Sequence, residues 1–299
     1  MPKKILITGA SGLIGSKLTS QLLAKNHSVA HLGRKKKDGT VASYVWDVKQ
    51  NQIDLKALTN IDTIVHLAGA SVGDKRWSTS WKKEILNSRI QSSRLLADAL
   101  KNSEHSARTF VSASAIGYYG FEGDSVFTEE SAMGKDFLAQ VTRQWEDEVD
   151  KIASLGVRVV KIRIGIVLSE HGGALEKMVK PIKYGIGSPL GSGKQYLSWI
   201  HINDLLQMFI KSIEDESMNG AYNASANWAT NEEMTKSIAK ILKRPLLMPN
   251  VPSFVLKIAL GEMADIVVNG AKVSSGKITK TGFQFQFENL DLALKDLLT

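Results

Sequence analysis

An α/β fold built on a doubly wound parallel sheet, with a smaller C-terminal α/β region, is what this sequence predicts. Two observations carry the expectation. The first is a glycine-rich turn, Thr8-Gly9-Ala10-Ser11-Gly12-Leu13-Ile14-Gly15, set between apolar Lys4-Ile5-Leu6-Ile7 and a run with Leu13, Leu18, Leu22 and Leu23 near helical spacing. The second is the alternation of short apolar β-type stretches with helical patterns from residue 3 to 167. Such alternation demands crossover connections and a parallel sheet.

The turn carries its own chemistry. Gly9 can take backbone angles closed to other residues. Gly12 lets backbone N–H groups approach a bound group, and Gly15 lets the helix pack closely on the strand. The free N–H groups and positive dipole end of the helix then face an anion, typically a pyrophosphate. In its strand–turn–helix context, Gly-x-x-Gly-x-x-Gly is a dinucleotide-binding fingerprint. Its expected contacts are Gly9, Ser11, Gly12, Leu13, Ile14 and Gly15.

Composition narrows the class. The chain has 299 residues, 43% of them apolar, enough for a sizeable core and one or two domains. No 18-residue apolar run occurs, so no membrane span is expected. Met-Pro-Lys-Lys enters the first strand at once, so no signal peptide is expected. Cysteine is absent, which excludes disulfides and thiol catalysis. A cytoplasmic location is expected. The net charge of +8 is mostly dispersed, with one cluster at Arg34-Lys35-Lys36-Lys37. With no zinc spacing, basic helix or aromatic-laced groove beside it, neither nucleic acid nor membrane is an expected partner; a small-molecule substrate is.

Val29 to Leu32 reads as the second strand. A carboxylate usually ends this strand in NAD-binding folds and holds the adenine-side ribose. Gly33-Arg34 stands there instead. Arginine grips a ribose 2′-phosphate with paired N–H groups, and Lys35 adds charge, so NADP(H) is favoured over NAD(H). Tyr44 to Asp47 reads as a third strand; Asp47 either accepts from an adenine amino group or caps the next turn. Residues 61 to 70 read as a buried fourth strand entering a small-residue turn, where Leu67, Ala68 and Gly69 let backbone lie against the nicotinamide-side ribose and phosphate. His66, inside that apolar run, reads as a packed core residue. Residues 79 to 102 carry a helical pattern in which Arg89 either reaches a cofactor phosphate or braces a loop. Thr109 to Ser114 is a fifth strand ending in hydroxyls, followed by Ala115 to Gly120. A helix over 133–154 and a strand over 157–164 complete the alternation.

Beyond this the texture changes. Gly172-Gly173-Ala174 opens a helix, Gly185 to Lys194 is a Gly/Ser loop around Pro189, and Trp199 to Asp204 leads into a helix through Phe209. Residues 1–170 are expected to bind the cofactor and residues 171–299 to fold over its nicotinamide end.

TGASGLIG, LAGA, VSASAIGYYG, RIGIVL and WIHINDL, in that order, resemble the extended and atypical short-chain dehydrogenase/reductase superfamily, in its NAD-dependent epimerase/dehydratase group. GGAL, PLGSGKQYLSWIHINDL and the stretch from VPSFVLKIALGEMADIVVNG to GFQF are similar to its nucleoside-diphosphate-sugar-epimerase-like members, the last resembling their C-terminal domain of unknown function over about residues 249–296. The resemblance implies a Rossmann-type fold whose first domain extends to about residue 225. It also implies a homodimer paired through helices 79–102 and 133–154.

The family's chemistry needs a Ser or Thr hydroxyl on the substrate oxygen, a Tyr that moves the proton, and a Lys four residues later that lowers the Tyr pKa. Ser114 matches the serine. No tyrosine here has Lys four places on. Placing Glu146 on the acidic residue that often follows the pair puts Leu138 and Thr142 at the Tyr and Lys positions. Tyr118, Tyr119 and His201 are the remaining candidates for the proton; the alternative for the tyrosines is packing against the cofactor or the upper region, and for His201 bracing the helix start at Asn203-Asp204. Arg163 either faces the cleft or pairs with Glu146, and Asp204 lies in the same motif as His201. Two functions stand open: an NADP(H)-dependent oxidoreductase or epimerase with a non-standard proton donor, and a catalytically silent NADP(H)-binding sensor or interaction module. No metal site is expected.

Overall fold

The computed structural model describes residues 1–121 and 125–299. Its first half runs β1 (Lys4–Thr8), α1 (Leu13–Ala24), β2 (Ser28–Gly33), β3 (Ala42–Asp47), β4 (Gln52–Ile53), β5 (Thr63–His66), α2 (Thr79–Asn102), β6 (Thr109–Ala115), β7 (Val126–Phe127), α3 (Phe137–Ala153) and β8 (Arg158–Ile164). The second half runs β9 (Ile166–Leu168), α4 (Gly173–Lys183), β10 (Tyr196–His201), α5 (Ile202–Glu214), β11 (Gly220–Ala224), β12 (Asn227–Thr230), α6 (Asn231–Ile241), α7 (Ser253–Leu260), α8 (Asp265–Val268), β13 (Lys272–Val273), α9 (Gly276–Thr279) and α10 (Leu290–Leu298).

An eight-stranded sheet in the order β11-β8-β6-β5-β1-β2-β3-β4 forms the centre. Its pairs are parallel except β3 with β4. The central strands are apolar nearly throughout: Ile5, Leu6, Ile7, Ile64, Val65, Phe110 and Val111 are fully buried, as a sheet covered on both faces requires. Helix α1 packs against α5, and α2 against α3. The chain leaves β1 towards β2 and then crosses back to β5 on the other side of β1. That reversal opens a crevice at the carboxyl ends of the strands.

The sheet does not end with β8. Its last strand, β11, and the covering helix α5 come from beyond residue 170. A second sheet, β12-β10-β9, and a third pair, β13 with β7, stack beside it. A separate core of Leu168, Leu175, Trp199, Met234 and Leu294 fills the C-terminal region. Among the described residues no helix is long and apolar enough to cross a membrane.

Two expectations gain detail. The fourth strand is only Thr63–His66: the Leu67 N–H divides between the Thr8 main-chain and hydroxyl oxygens, at 3.2 Å each, and the Ala68 N–H turns to the hydroxyl at 3.3 Å. Trp199 to His201 ends buried strand β10, whose Ser198 hydroxyl donates to the Ala271 carbonyl, and the chain passes directly from it into α5, the helix expected through Phe209.

Candidate functional site

The crevice is a cleft of about 900 Å³. It is lined by Gly9 to Gly12 from the first turn, His31 to Gly33 of β2 with Arg34 and Lys35 directly after it, Asp47 from β3, and Leu67 to Ala70 after β5. Glu84, Asn87, Ser88 and Gln91 of α2 form its far wall.

The first turn has the conformation its glycines imply. Gly9 has φ +69°, and a Cβ there would lie 2.8 Å from the Leu67 main chain. At Gly15 a Cβ would meet the Gly9 carbonyl oxygen at 2.5 Å, so the helix abuts the strand end. Gly12 is the N-cap of α1 without a capping side chain, and no acidic residue occupies the first turn. The first N–H groups, at Leu13 and Ile14, are therefore left for an anion. The side chains of Leu13 and Ile14 pack on the core instead of lining the cleft.

The floor is set by residues the sequence reading left out or treated as core. Thr8 Oγ1 accepts from the Leu67 and Ala68 N–H groups, so its own hydrogen goes to His66 Nδ1 at 2.7 Å. His66 then carries its hydrogen on Nε2, which faces Ser92 and Ser93 of α2 at 3.2 Å each. Burial, with Arg89 nearby, pushes the His66 pKa down to about 3. It is a neutral tie between β1, β5 and α2. Arg89 turns inward: its Nη1 donates to the Ala70 and Ile85 carbonyls, both at 2.9 Å, and burial lowers its pKa to about 10. Of the two roles open to it, bracing the loop is the one its contacts fill, and its side chain does not line the cleft. Asp47 fills the capping role, its Oδ1 accepting from the Lys49 and Gln50 N–H groups, and the residue also lines the cleft. Arg34 and Lys35 sit on the lip directly after β2.

The candidate catalytic residues fall into two groups. Ser114, Arg163 and Asn223 form one row across β6, β8 and β11. The Ser114 hydroxyl, 3% exposed, donates to Glu146 Oε1 at 2.6 Å. Arg163 holds both Glu146 oxygens at 2.8 Å and donates from Nη1 to the Tyr119 hydroxyl at 2.9 Å. Tyr119 donates in turn to Asn223 Oδ1 at 2.7 Å. Burial pushes the Tyr119 pKa up to about 12, and the ring is fully enclosed. Tyr119 thus loses its candidacy as a proton carrier. Tyr118 is partly exposed, its ring covered by the Arg163 guanidinium at 3.5 Å. Leu138 and Thr142 do face this locus: a Cβ on Gly117, beside Tyr118, would lie 3.3 Å from Leu138 and 3.8 Å from the Thr142 hydroxyl.

His201 is not brought to this group. It is fully buried, caps α5 by accepting from the Asn203 N–H, and stacks on Phe287 with centroids 3.9 Å apart. Its Nε2 lies 3.2 Å from Asp296 Oδ2 without hydrogen-bond geometry, and burial lowers its pKa. Asp204 accepts from the Gln286 and Phe287 N–H groups. Both residues fasten the C-terminal segment, and of the two roles open to His201 its contacts fill the bracing of the helix start.

Residues 5–225 match the model of the NAD dependent epimerase/dehydratase family. The chain belongs to that family. Residues 251–297 match a domain of unknown function, DUF1731. Within the family the chain is 38% identical over 300 residues to the epimerase family protein SH2119 of Staphylococcus haemolyticus, covering 99% of both chains. It is 38% identical to the chloroplastic SDR39U1 homolog of Arabidopsis thaliana, covering 98% of this chain and 86% of the plant protein. Among solved structures it resembles human epimerase family protein SDR39U1 (isoform 2) with NADPH, at a TM-score of 0.89, 31% identity and 98% of each chain.

Proposed function

We propose that this family member binds NADP(H) in preference to NAD(H) and works as an oxidoreductase on activated carbonyl compounds, without the Tyr–Lys pair. One observation carries the cofactor choice: β2 ends in Gly33-Arg34, and the lip of the cleft carries Arg34, Lys35 and Lys37 with no carboxylate at the end of that strand. The fit to a dinucleotide rests on the Gly9 and Gly15 approaches, which a Cβ would fill, and on the uncapped start of α1. The NADPH bound to the human relative supports the same choice.

When bound, the nicotinamide supplies a hydride, and the chain must supply orientation and a proton. Leu67 and Ala68, held by Thr8, give the cofactor a fixed floor. In this reading Ser114 holds the substrate oxygen. Turning its hydroxyl away from Glu146 leaves that carboxylate satisfied by Arg163. The proton comes from Tyr118 or water. General acid help is worth about 10²–10⁴-fold, so its weakness slows the reaction without removing it, provided the carbonyl is easily reduced. Leu138 and Thr142 favour a second reading, a silent NADP(H)-binding sensor, because neither can move a proton as the pair does.

Quinones, dicarbonyls and sugar nucleotides tested with NADPH separate the two. Slow turnover of the activated carbonyls, reduced by Ser114→Ala and Tyr118→Phe, is expected. NADPH binding with no turnover of any compound supports the sensor.

A further inference from the structure

His31 lines the cleft from β2 and is partly exposed. Helix α1 meets its ring through Thr19, whose Oγ1 lies 3.0 Å from Nε2. The same hydroxyl donates to the Gly15 carbonyl at 2.8 Å. A hydroxyl has one hydrogen, so Thr19 accepts from the imidazole, and the neutral ring carries its hydrogen on Nε2. Nδ1 is then a bare lone pair, with no protein partner among the described residues.

The neighbours on every side are unlike those of a core histidine. Ser43 of β3 is the register partner of His31 and shares its face of the sheet. Ser43 Oγ accepts from the Lys37 N–H at 3.1 Å, and its own hydrogen has no protein acceptor among the described residues. On the β1 side the partner is Ile7, which carries no charge. The charged groups of the cleft are Arg34, Lys35 and Lys37 on the lip, Asp47 at the end of β3 with Lys49 past it, and Glu84 of α2. Burial, then the charge of Lys37, holds the imidazole below its ordinary value, so it is neutral at pH 7.

We infer that His31 is a proton-coupled ligand for a phosphate monoester, the ribose 2′-phosphate of NADP(H), shared with Arg34, Lys35, Lys37 and Ser43. The inference rests on the NADP(H) reading above. A bare lone pair against a phosphate oxygen is repulsive. One proton taken from solvent onto Nδ1 turns that repulsion into a charge-assisted hydrogen bond, with the Nε2 bond to Thr19 unchanged. Binding and protonation are therefore linked. NADPH affinity falls as pH rises, by up to about tenfold per pH unit between the free and the bound pKa of His31. NADH, which lacks the phosphate, has no such term.

Isothermal calorimetry of NADPH and NADH, from pH 6 to 8 in two buffers of different ionisation heat, counts the protons. The phosphate has its own second ionisation near about pH 6, so the comparison is wild type against His31→Gln, whose amide keeps an N–H for Thr19. The expected result is up to one extra proton taken up by the wild type with NADPH, a steeper pH dependence, and no difference with NADH. If His31→Gln folds poorly, nitrogen-15 NMR of the wild-type imidazole reads the same event: Nδ1 gains its hydrogen with NADPH and not with NADH. Equal proton counts for both proteins, or an unprotonated Nδ1 in the NADPH complex, overturn the inference while NADPH remains the preferred cofactor. No preference for NADPH at any pH overturns both this inference and the cofactor reading.

Discussion

Removing the arginine at the centre of the buried network, Arg163→Met, is expected to destabilise the protein by about 3–5 kcal/mol. The size follows from what Arg163 leaves behind. Its side chain and that of Glu146 are each 5% exposed, and they share two bonds of 2.8 Å. Methionine fills much of the volume but carries no charge. Glu146 then keeps only the Ser114 hydroxyl at 2.6 Å and the Lys161 ammonium at 3.6 Å. Tyr119 also loses a donor at 2.9 Å, and Tyr118 loses the guanidinium over its ring. The cost is thus mainly an under-compensated buried carboxylate, and removing that carboxylate as well should recover part of it. The double variant Arg163→Met/Glu146→Leu is expected to be less destabilised than the two single effects added together, by about 1–3 kcal/mol. Burial alone pushes the Glu146 pKa up; the hydrogen bonds and charge of Arg163 outweigh it and hold the carboxyl below its usual range. In the wild type this contribution is present above the unfolded carboxylate value and is lost as pH falls through the lower folded one. In Arg163→Met burial prevails, so Glu146 takes up a proton more readily and the gap to wild type narrows from pH 7 to pH 5. Urea unfolding of the four proteins at both pH values measures this. A cost under about 1 kcal/mol with strict additivity would refute the reasoning.

Other positions give sharper contrasts. Gly12→Val should abolish NADPH binding with little change in circular dichroism, because a Cβ there meets only the Gly9 oxygen at 3.3 Å; Gly15→Val, 2.5 Å from the same oxygen, should disturb the fold as well. Binding retained by Gly12→Val would mean the turn is not the cofactor site. His66 is buried neutral with its pKa pushed down to about 3, so its contribution is complete above the unfolded value near 6.5 and is lost as pH falls towards 3. The slope is up to about 1.4 kcal/mol per pH unit, and urea midpoints of His66→Gln should lose that dependence; an unchanged slope would count against it.

How much of this was legible in the sequence varies by residue. The glycine turn, helix α2 and the missing carboxylate after β2 follow from local pattern, because backbone conformation and helix periodicity are local properties. Tyr118 and Tyr119 are adjacent and chemically identical in the sequence. A single 3₁₀ turn sends one ring under Phe127 and into the Asn223 bond and leaves the other partly open. His201 follows the same logic: its position before Asn203-Asp204 marked a helix start, but only the fold brings Phe287 and Asp296 from the C-terminus around its ring. Strand β11 escaped notice because Gly220-Ala-Tyr-Asn-Ala has weak β-propensity and gains its stability from pairing with β8. The role of Thr8 depends on a hydrogen bond across 58 residues, which no spacing rule reaches.

The central claim is that Arg34, standing where a ribose-binding carboxylate would stand, selects the phosphorylated cofactor. Titrating NADPH and NADH into the wild type and Arg34→Ala tests it most directly. One charge-assisted hydrogen-bonded pair contributes roughly 1.5–3 kcal/mol, so the wild type should bind NADPH about 10-fold to 100-fold more tightly than NADH, and Arg34→Ala should lose most of that margin with NADH affinity unchanged. Equal affinities for the two cofactors in the wild type would contradict it.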